Sequence, residues 1–236
     1  MNMKKHLWHK RKQRLMEFLP AWAWFPLLFE FLLNNLVYAG AKIIAAPWHH
    51  YNIESQWDLA IPFLPWTVSI YFGCYLFWIA NYVICVRLGR EHAWRFLSAD
   101  FAAKLICLIC FLIFPTTNTR PEVSGTSVWD GLMRFLYQVD TADNLFPSIH
   151  CLTSWFCYIG IRGQEKIPRW YRIFSCLFAL AVFVSTLTTK QHVLIDVAAG
   201  AVLAEGTYWL AGHTKLAFAY KKAAERLKRW IWHRNV

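Results

Sequence analysis

Residues 173–211 read IFSCLFALAVFVSTLTTKQHVLIDVAAGAVLAEGTYWLA. Two apolar runs, Ile173 to Thr188 and Val193 to Ala211, are separated only by a short polar turn that holds Lys190-Gln191-His192. Each run is close to the roughly 20 apolar residues needed to cross a hydrocarbon core. The stretch therefore predicts two membrane-crossing helices joined by a tight hairpin.

Four more such runs lie upstream: Ala21 to Ala46, Pro65 to Val86, Phe101 to Pro115 and Ser148 to Ile161. The third and fourth of the six are short and draw on flanking residues. No segment alternates with the period of two that a transmembrane barrel strand requires, and there is no internal repeat. The expectation is an all-α polytopic membrane protein, a six-helix bundle in one domain spanning residues 1–236. A basic stretch, Lys4 to Arg14, precedes the first run, and Ala39-Gly40-Ala41 looks like a cleavage site. Glu30 and Asn34-Asn35 interrupt that run, however, and it exceeds the roughly 7–15-residue core of a signal peptide. It reads as a helix.

Composition agrees with a lipid environment. The chain is 57% apolar and only 17% charged, where a soluble domain averages about 25% charged. Fourteen tryptophans and ten tyrosines suit the aromatic belts at the headgroup level. The net charge of +11 resides in the flanks of the apolar runs, and no nucleic-acid-binding motif spacing is present. All seven cysteines lie in apolar stretches and read as small buried hydrophobes. Cys107-x-x-Cys110 has no second pair to complete a metal site, and the odd count argues against a disulfide framework.

Lys and Arg set the orientation. Twenty-one fall on the side that holds both termini, with Lys104 counted there from just inside the third helix; only Lys42, Arg120, Arg134 and Lys190 fall on the other. Both termini are expected in the cytoplasm. The outer face then gathers Arg120-Pro121 after helix three, Pro147-Ser148-Ile149-His150 at the start of helix four, Ser185 at the end of helix five, Lys190-Gln191-His192 in the turn, and Asp196 one turn into helix six.

His192 and Asp196 are four residues apart and share a helix face. A carboxylate there can hold one imidazole nitrogen and leave the other as a nucleophile, although a helix-packing hydrogen bond would explain the pair alone. Pro147-Ser148 before an apolar run reads as a helix start capped by Ser148 or Asp143. Such a start also offers free amides to an anion. Arg120 and Lys190 add cationic donors suited to phosphate oxygens, and His150 could protonate a leaving oxygen.

Pro147-Ser148-x-His150 followed by Ser185-x6-His192-x3-Asp196 resembles the second and third signatures of the type 2 phosphatidic acid phosphatase superfamily, Pro-Ser-Gly-His and Ser-Arg-x5-His-x3-Asp. Arg120-Pro121 resembles the end of its first, Lys-x6-Arg-Pro. Three positions depart: Ile113 stands for the lysine, Ile149 for the glycine and Thr186 for the arginine. These losses resemble the inositol-phosphorylceramide-synthase-like branch, in which the His, His and Asp core persists while the flanking cations vary.

The resemblance implies a six-helix lipid phosphatase that needs neither metal nor cofactor. In it His192 attacks phosphorus to form a phosphohistidine, Asp196 orients His192, and His150 serves as acid and then base. Arg120, Ser148 and Lys190 hold the phosphate of a phosphorylated lipid. Transfer to a lipid or polyol hydroxyl uses the same residues, and an anion transporter or a non-catalytic scaffold are the readings from other classes. The expected location is the plasma membrane, with the active site on the extracytoplasmic side. Elsewhere, Glu30 and Glu205 could bond across helices or shape a headgroup pocket, and His49, His50 and Asp58 could touch a headgroup. Trp129 to Tyr137 predicts a short amphipathic helix at the interface.

Overall fold

A computed structural model describes residues 19–233. The basic stretch from Lys4 to Arg14 lies outside the described residues. The long helices are α1 (Trp24–Ala45), α3 (Val68–Arg87, entered through a 3-10 turn at Pro65–Thr67), α4 (Arg90–Ile113), α6 (Ile149–Arg162), α7 (Arg169–Thr188), α8 (Leu194–His213) and α9 (Leu216–His233). Two short ones, α2 (Gln56–Ala60) and α5 (Val128–Val139), sit in the connections. The strand pair Tyr51–Asn52 and Thr116–Thr117 runs parallel and ties the α1–α2 connection to the segment after α4.

Among the described residues five helices are long and apolar enough to cross a membrane: α1, Pro65–Arg87, α4, α7 and α8. The fourth expected run forms α6, whose 14 residues rise only about 21 Å. It is also the most enclosed, packed among α3, α4, α7 and α8. The third run is longer than it reads: α4 begins at Arg90, because His92, Arg95 and Asp100 dilute its hydropathy without breaking the helix. The apolar residues Leu36, Ile43, Leu76 and Ile79 are exposed while Glu30, Asn81, Asp100 and Lys104 are buried. That inverted distribution is what a bundle surrounded by lipid requires.

Lys104 is therefore no flanking charge. Its ammonium lies 2.7 Å from the Asp100 carboxylate and 3.6 Å from that of Glu30, all three groups being buried. Tyr82 donates to Asp100, and Tyr220 of α9 donates to Glu30. Glu30 thus bonds across helices, and the C-terminal helix is fastened to α1 through it. Glu205 likewise forms a bidentate pair with Arg162.

The predicted amphipathic helix is α5. Ser127 caps it in a capping box with Asp130, and it buries Met133 and Leu136 against Val68 and Tyr71 of α3. A second capping box, Ser55 with Asp58, starts α2. Asp58 Oδ1 also accepts a hydrogen bond from the Leu194 amide at the start of α8. Burial works against its charge, but the bonds from Ser55 and Leu194 and the nearby Lys190 hold its carboxyl below the usual range. Asp58 is thus engaged as a cap for α8, not as a headgroup contact.

Candidate active site

The α7–α8 turn is built tightly. The amides of Gln191 and His192 both donate to the Thr186 carbonyl. Lys190 adopts φ +53°, a left-handed conformation that costs a non-glycine residue roughly 1–2 kcal/mol. Three contacts from outside hold it: its ammonium donates to the carbonyls of Asp58 at 2.8 Å and Ile61 at 2.6 Å, and Asn118 donates to its own carbonyl at 2.8 Å. Lys190 therefore staples the turn to the α2 connection, and its ammonium is directed away from the histidines.

The turn presents His192 to the end of α6. Its Nδ1 lies 3.3 Å from Oδ2 of Asp196, which also accepts the Val193 amide at 3.1 Å. Asp196 is fully buried and His192 nearly so. The rings of His192 and His150 are 6.0 Å apart, centroid to centroid. Both line a cavity of about 280 Å³ with Asn34, Asn35, Tyr38, Tyr75, Asp140 and Gln191.

Ser148 caps α6 by accepting the Cys151 amide, and its own amide donates to the Asp196 carbonyl. That bond joins the two motif segments directly. The approach is possible because position 200 is glycine: a Cβ there would come within 2.6 Å of the Ser148 carbonyl oxygen and 3.2 Å of the Leu152 amide. Ser148 is fully buried, and its hydroxyl oxygen serves the cap. What remains for an anion is the donor end of the helix, where the first amides lack i−4 partners.

His150 is enclosed by aromatics from α3. Its ring lies 4.5 Å from Tyr71, 5.4 Å from Trp78 and 6.1 Å from Tyr75. The Tyr71 hydroxyl donates to Asp140 and lies 3.3 Å from Nδ1 of His150. With that proton directed at Asp140, the hydroxyl oxygen can accept from Nδ1–H, and the Tyr75 hydroxyl lies 3.4 Å from the other ring nitrogen, Nε2. Asp140 also accepts from Tyr38. Burial opposes its ionisation, yet the nearby His150, the two tyrosine bonds and His192 keep its carboxyl below the usual range.

Arg120 stands behind this wall. Its guanidinium donates to the Asp140 carbonyl and to Oε1 of Gln191, and lies 4.8 Å over the Tyr137 ring. Its Nε and the Gln191 Nε2 are buried without partners among the described residues. Of the positions that depart from the signatures, Ile113 is exposed at the end of α4, away from the cavity, whereas Ile149 lines it. Thr186 is buried, its hydroxyl bonded to the Phe183 carbonyl and 3.5 Å from the Cys151 sulfur.

The structure thus brings His150, His192 and Asp196 together with Arg120 one residue behind, and leaves Lys190 outside. Sequence reasoning missed Tyr38, Tyr71, Asp140 and Gly200. In the sequence the tyrosines look like belt aromatics and Asp140 like a loop residue. Gly200, one turn beyond Asp196, carries a faint signal as a small residue on the same face.

Two imidazoles thus converge on one cavity in a bundle of apolar helices, and one of them is paired with a carboxylate. Residues 48–210 match the family model of the PAP2 superfamily, and the chain belongs to that superfamily, the type 2 phosphatidic acid phosphatases. It is an integral membrane protein of a family whose activity is of the phosphatase type. No curated protein and no solved structure matches it.

Proposed function

We propose that the protein hydrolyses a lipid phosphomonoester or pyrophosphate through a phosphohistidine. The observation that carries this reading is the 6.0 Å separation of the His150 and His192 rings across one cavity, with Asp196 on Nδ1 of His192. In this reading His192 Nε2 attacks phosphorus and the P–O bond to the leaving oxygen breaks. His150 gives that oxygen a proton from Nε2, then takes one from the water that cleaves the P–N bond. Gln191 Nε2 and the first amides of α6 face the developing charge, with Arg120 bonded to Gln191 behind them, the kind of preorganised stabilisation that dominates phosphoryl transfer. Each histidine and Asp196 has a role that needs no metal.

In the same reading α6 is the sixth span. Its short length is tolerable because protein, not lipid, surrounds it. The Lys and Arg bias supports cytoplasmic termini and a cavity that opens to the extracytoplasmic side of the plasma membrane.

The test is to incubate the purified protein with radiolabelled phosphatidate, phosphatidylglycerol phosphate and polyprenyl pyrophosphate. Acid-labile label on the protein, absent in His192→Ala, is the expected result, with turnover reduced by several orders of magnitude and wild-type activity unchanged by EDTA. Near-normal turnover in that variant would sink the phosphohistidine step, and rescue by a divalent ion after chelation would sink metal independence.

One observation favours transfer to a hydroxyl acceptor as a second reading. Oδ1 of Asn34, Asp143 and Asn144 are buried, lack partners among the described residues and belong to side chains lining the cavity. Unpaired acceptors of this kind suit the hydroxyls of a polyol. A phosphodiester product formed when a polyol lipid is supplied identifies transfer, and free phosphate alone identifies hydrolysis.

A further inference from the structure

A second groove lies at the other end of α6. Arg162 ends that helix twelve residues after His150, which places it about 18 Å further along the axis. Tyr158, Arg162, Arg169, Arg172, Ile173, Cys176 and Leu177 enclose a volume of about 370 Å³ there. None of them lines the histidine cavity.

Three guanidinium groups share this groove, and one is neutralised: Arg162 pairs bidentately with Glu205 at 2.6 and 2.8 Å. Arg169 and Arg172 occupy the first turn of α7, which has no acidic residue. Cations at a helix N-terminus oppose the macrodipole by roughly 0.3–1 kcal/mol each, so an unfavourable field is concentrated here. In the preceding loop Glu165 and Lys166 offset each other. Arg172 donates to the Arg162 carbonyl at a long 3.3 Å, and its Nε is buried without a partner among the described residues. Two arginines without an acidic partner among the described residues, one of them with an orphaned Nε, at a helix start call for an anion.

The surroundings say which anion. Ile173, Leu177, Leu180 and Val184 recur at helical spacing and are all exposed. They form an apolar strip that begins in the groove and runs along α7. Trp170, also exposed, stands beside Arg169, the arrangement of an indole at headgroup level. A free phosphate would use only the arginines. A phospholipid would use the arginines for its headgroup and the strip for an acyl chain.

We propose that this groove binds an anionic phospholipid from the leaflet opposite the histidine cavity, its phosphate held by Arg169 and Arg172 and one chain laid along Ile173, Leu177 and Leu180. The site is independent of the catalytic reading. In the orientation proposed above it faces the cytoplasmic leaflet, where anionic lipids attract basic segments.

The test is native mass spectrometry of the full chain released from nanodiscs of phosphatidylcholine with phosphatidylglycerol. One phosphatidylglycerol should be retained with a preference of about tenfold or more over phosphatidylcholine, equivalent to about 1.4 kcal/mol. Arg169→Gln/Arg172→Gln should abolish that preference. Arg169→Gln alone should weaken it severalfold; Arg169 is exposed, so this variant is safe for folding. Lys221→Gln/Lys222→Gln removes the same charge from α9 and should leave the preference intact. No preference in the wild type, full preference in the groove variants, or equal loss in the α9 control each overturns the proposal. Displacement of the lipid by millimolar inorganic phosphate would show a simple anion site and overturn the lipid assignment.

Discussion

The Tyr71 hydroxyl lies 3.3 Å from Nδ1 of His150, although the two residues are 79 positions apart in the chain. The same hydroxyl donates to Asp140, so the imidazole is linked to a carboxylate through a phenol. This relay does for His150 what Asp196 does for His192 by direct contact. Each histidine thus has Nδ1 linked to a carboxylate, directly for His192 and through the phenol for His150.

Tyr71→Phe removes the link while keeping the ring contact. We expect kcat to fall about tenfold, less than the roughly 10²–10⁴-fold that general acid–base catalysis itself contributes, because the variant displaces His150 without removing it, with KM little changed. Unchanged kcat would show that the relay does not position His150.

Asp140→Asn keeps the shape and removes the charge. The charged or titratable groups around His150 are Tyr38 from α1, Tyr71 and Tyr75 from α3, Asp140 and Asp143 after α5, and His192 in the turn. A carboxylate favours a protonated neighbour, so its loss makes the acid form of His150 harder to hold. The alkaline limb of the pH–rate profile should move to lower pH. Asp140 itself has a lowered pKa, so its contribution to stability is present above the unfolded value and lost as pH falls through the folded one. The stability difference between the wild type and Asp140→Asn should therefore hold at neutral pH and shrink only in acid, and a difference that vanishes near neutrality would contradict this.

Lys190→Ala tests the turn. The sequence suggests a phosphate ligand, for which the variant would raise KM. The geometry gives the ammonium to two carbonyls, and hydrogen bonds to charged groups contribute about 1.5–3 kcal/mol. We expect a lower melting temperature with KM within about twofold, less than the 1.4 kcal/mol that a tenfold change represents. A large rise in KM at unchanged stability would restore the phosphate role. Thr186→Arg should not compensate, because position 186 is buried against Cys151.

Gly200→Ala tests the contact between α6 and α8. Its Cβ would meet backbone atoms that cannot rotate away. Overpacking of this kind costs typically about 1–3 kcal/mol. The displacement would separate Ser148 from Asp196, so activity should fall more steeply than stability. Wild-type activity in this variant would mean that the site tolerates a shift of α6.

Lys104→Met addresses the buried ions. Removing the one cation leaves Glu30 and Asp100 facing each other, and breaking a buried pair in this way costs about 3–5 kcal/mol. The variant should express poorly, and Lys104→Met/Glu30→Gln/Asp100→Asn should recover much of the loss. Normal stability in the single variant would refute a structural role for the cluster.

The amino-acid sequence by itself determined the apolar helices, the turn between Thr188 and Leu194, and the pairing of His192 with Asp196. These are local properties: run length fixes what can cross a bilayer, and Asp196 in the first turn of α8 reaches back to the Val193 amide and to His192, which precedes the helix rather than sharing its face. Only the tertiary structure decided that Lys190 leaves the site for Asp58 and Ile61, that Lys104 is buried between carboxylates, and that His150 is held through Tyr71. Those outcomes turn on contacts between distant segments, 129 and 132 residues apart for Lys190. A side chain's identity states what it can bond. Which partner it meets is set by how closely the helices pack, and here that depends on a missing Cβ at Gly200.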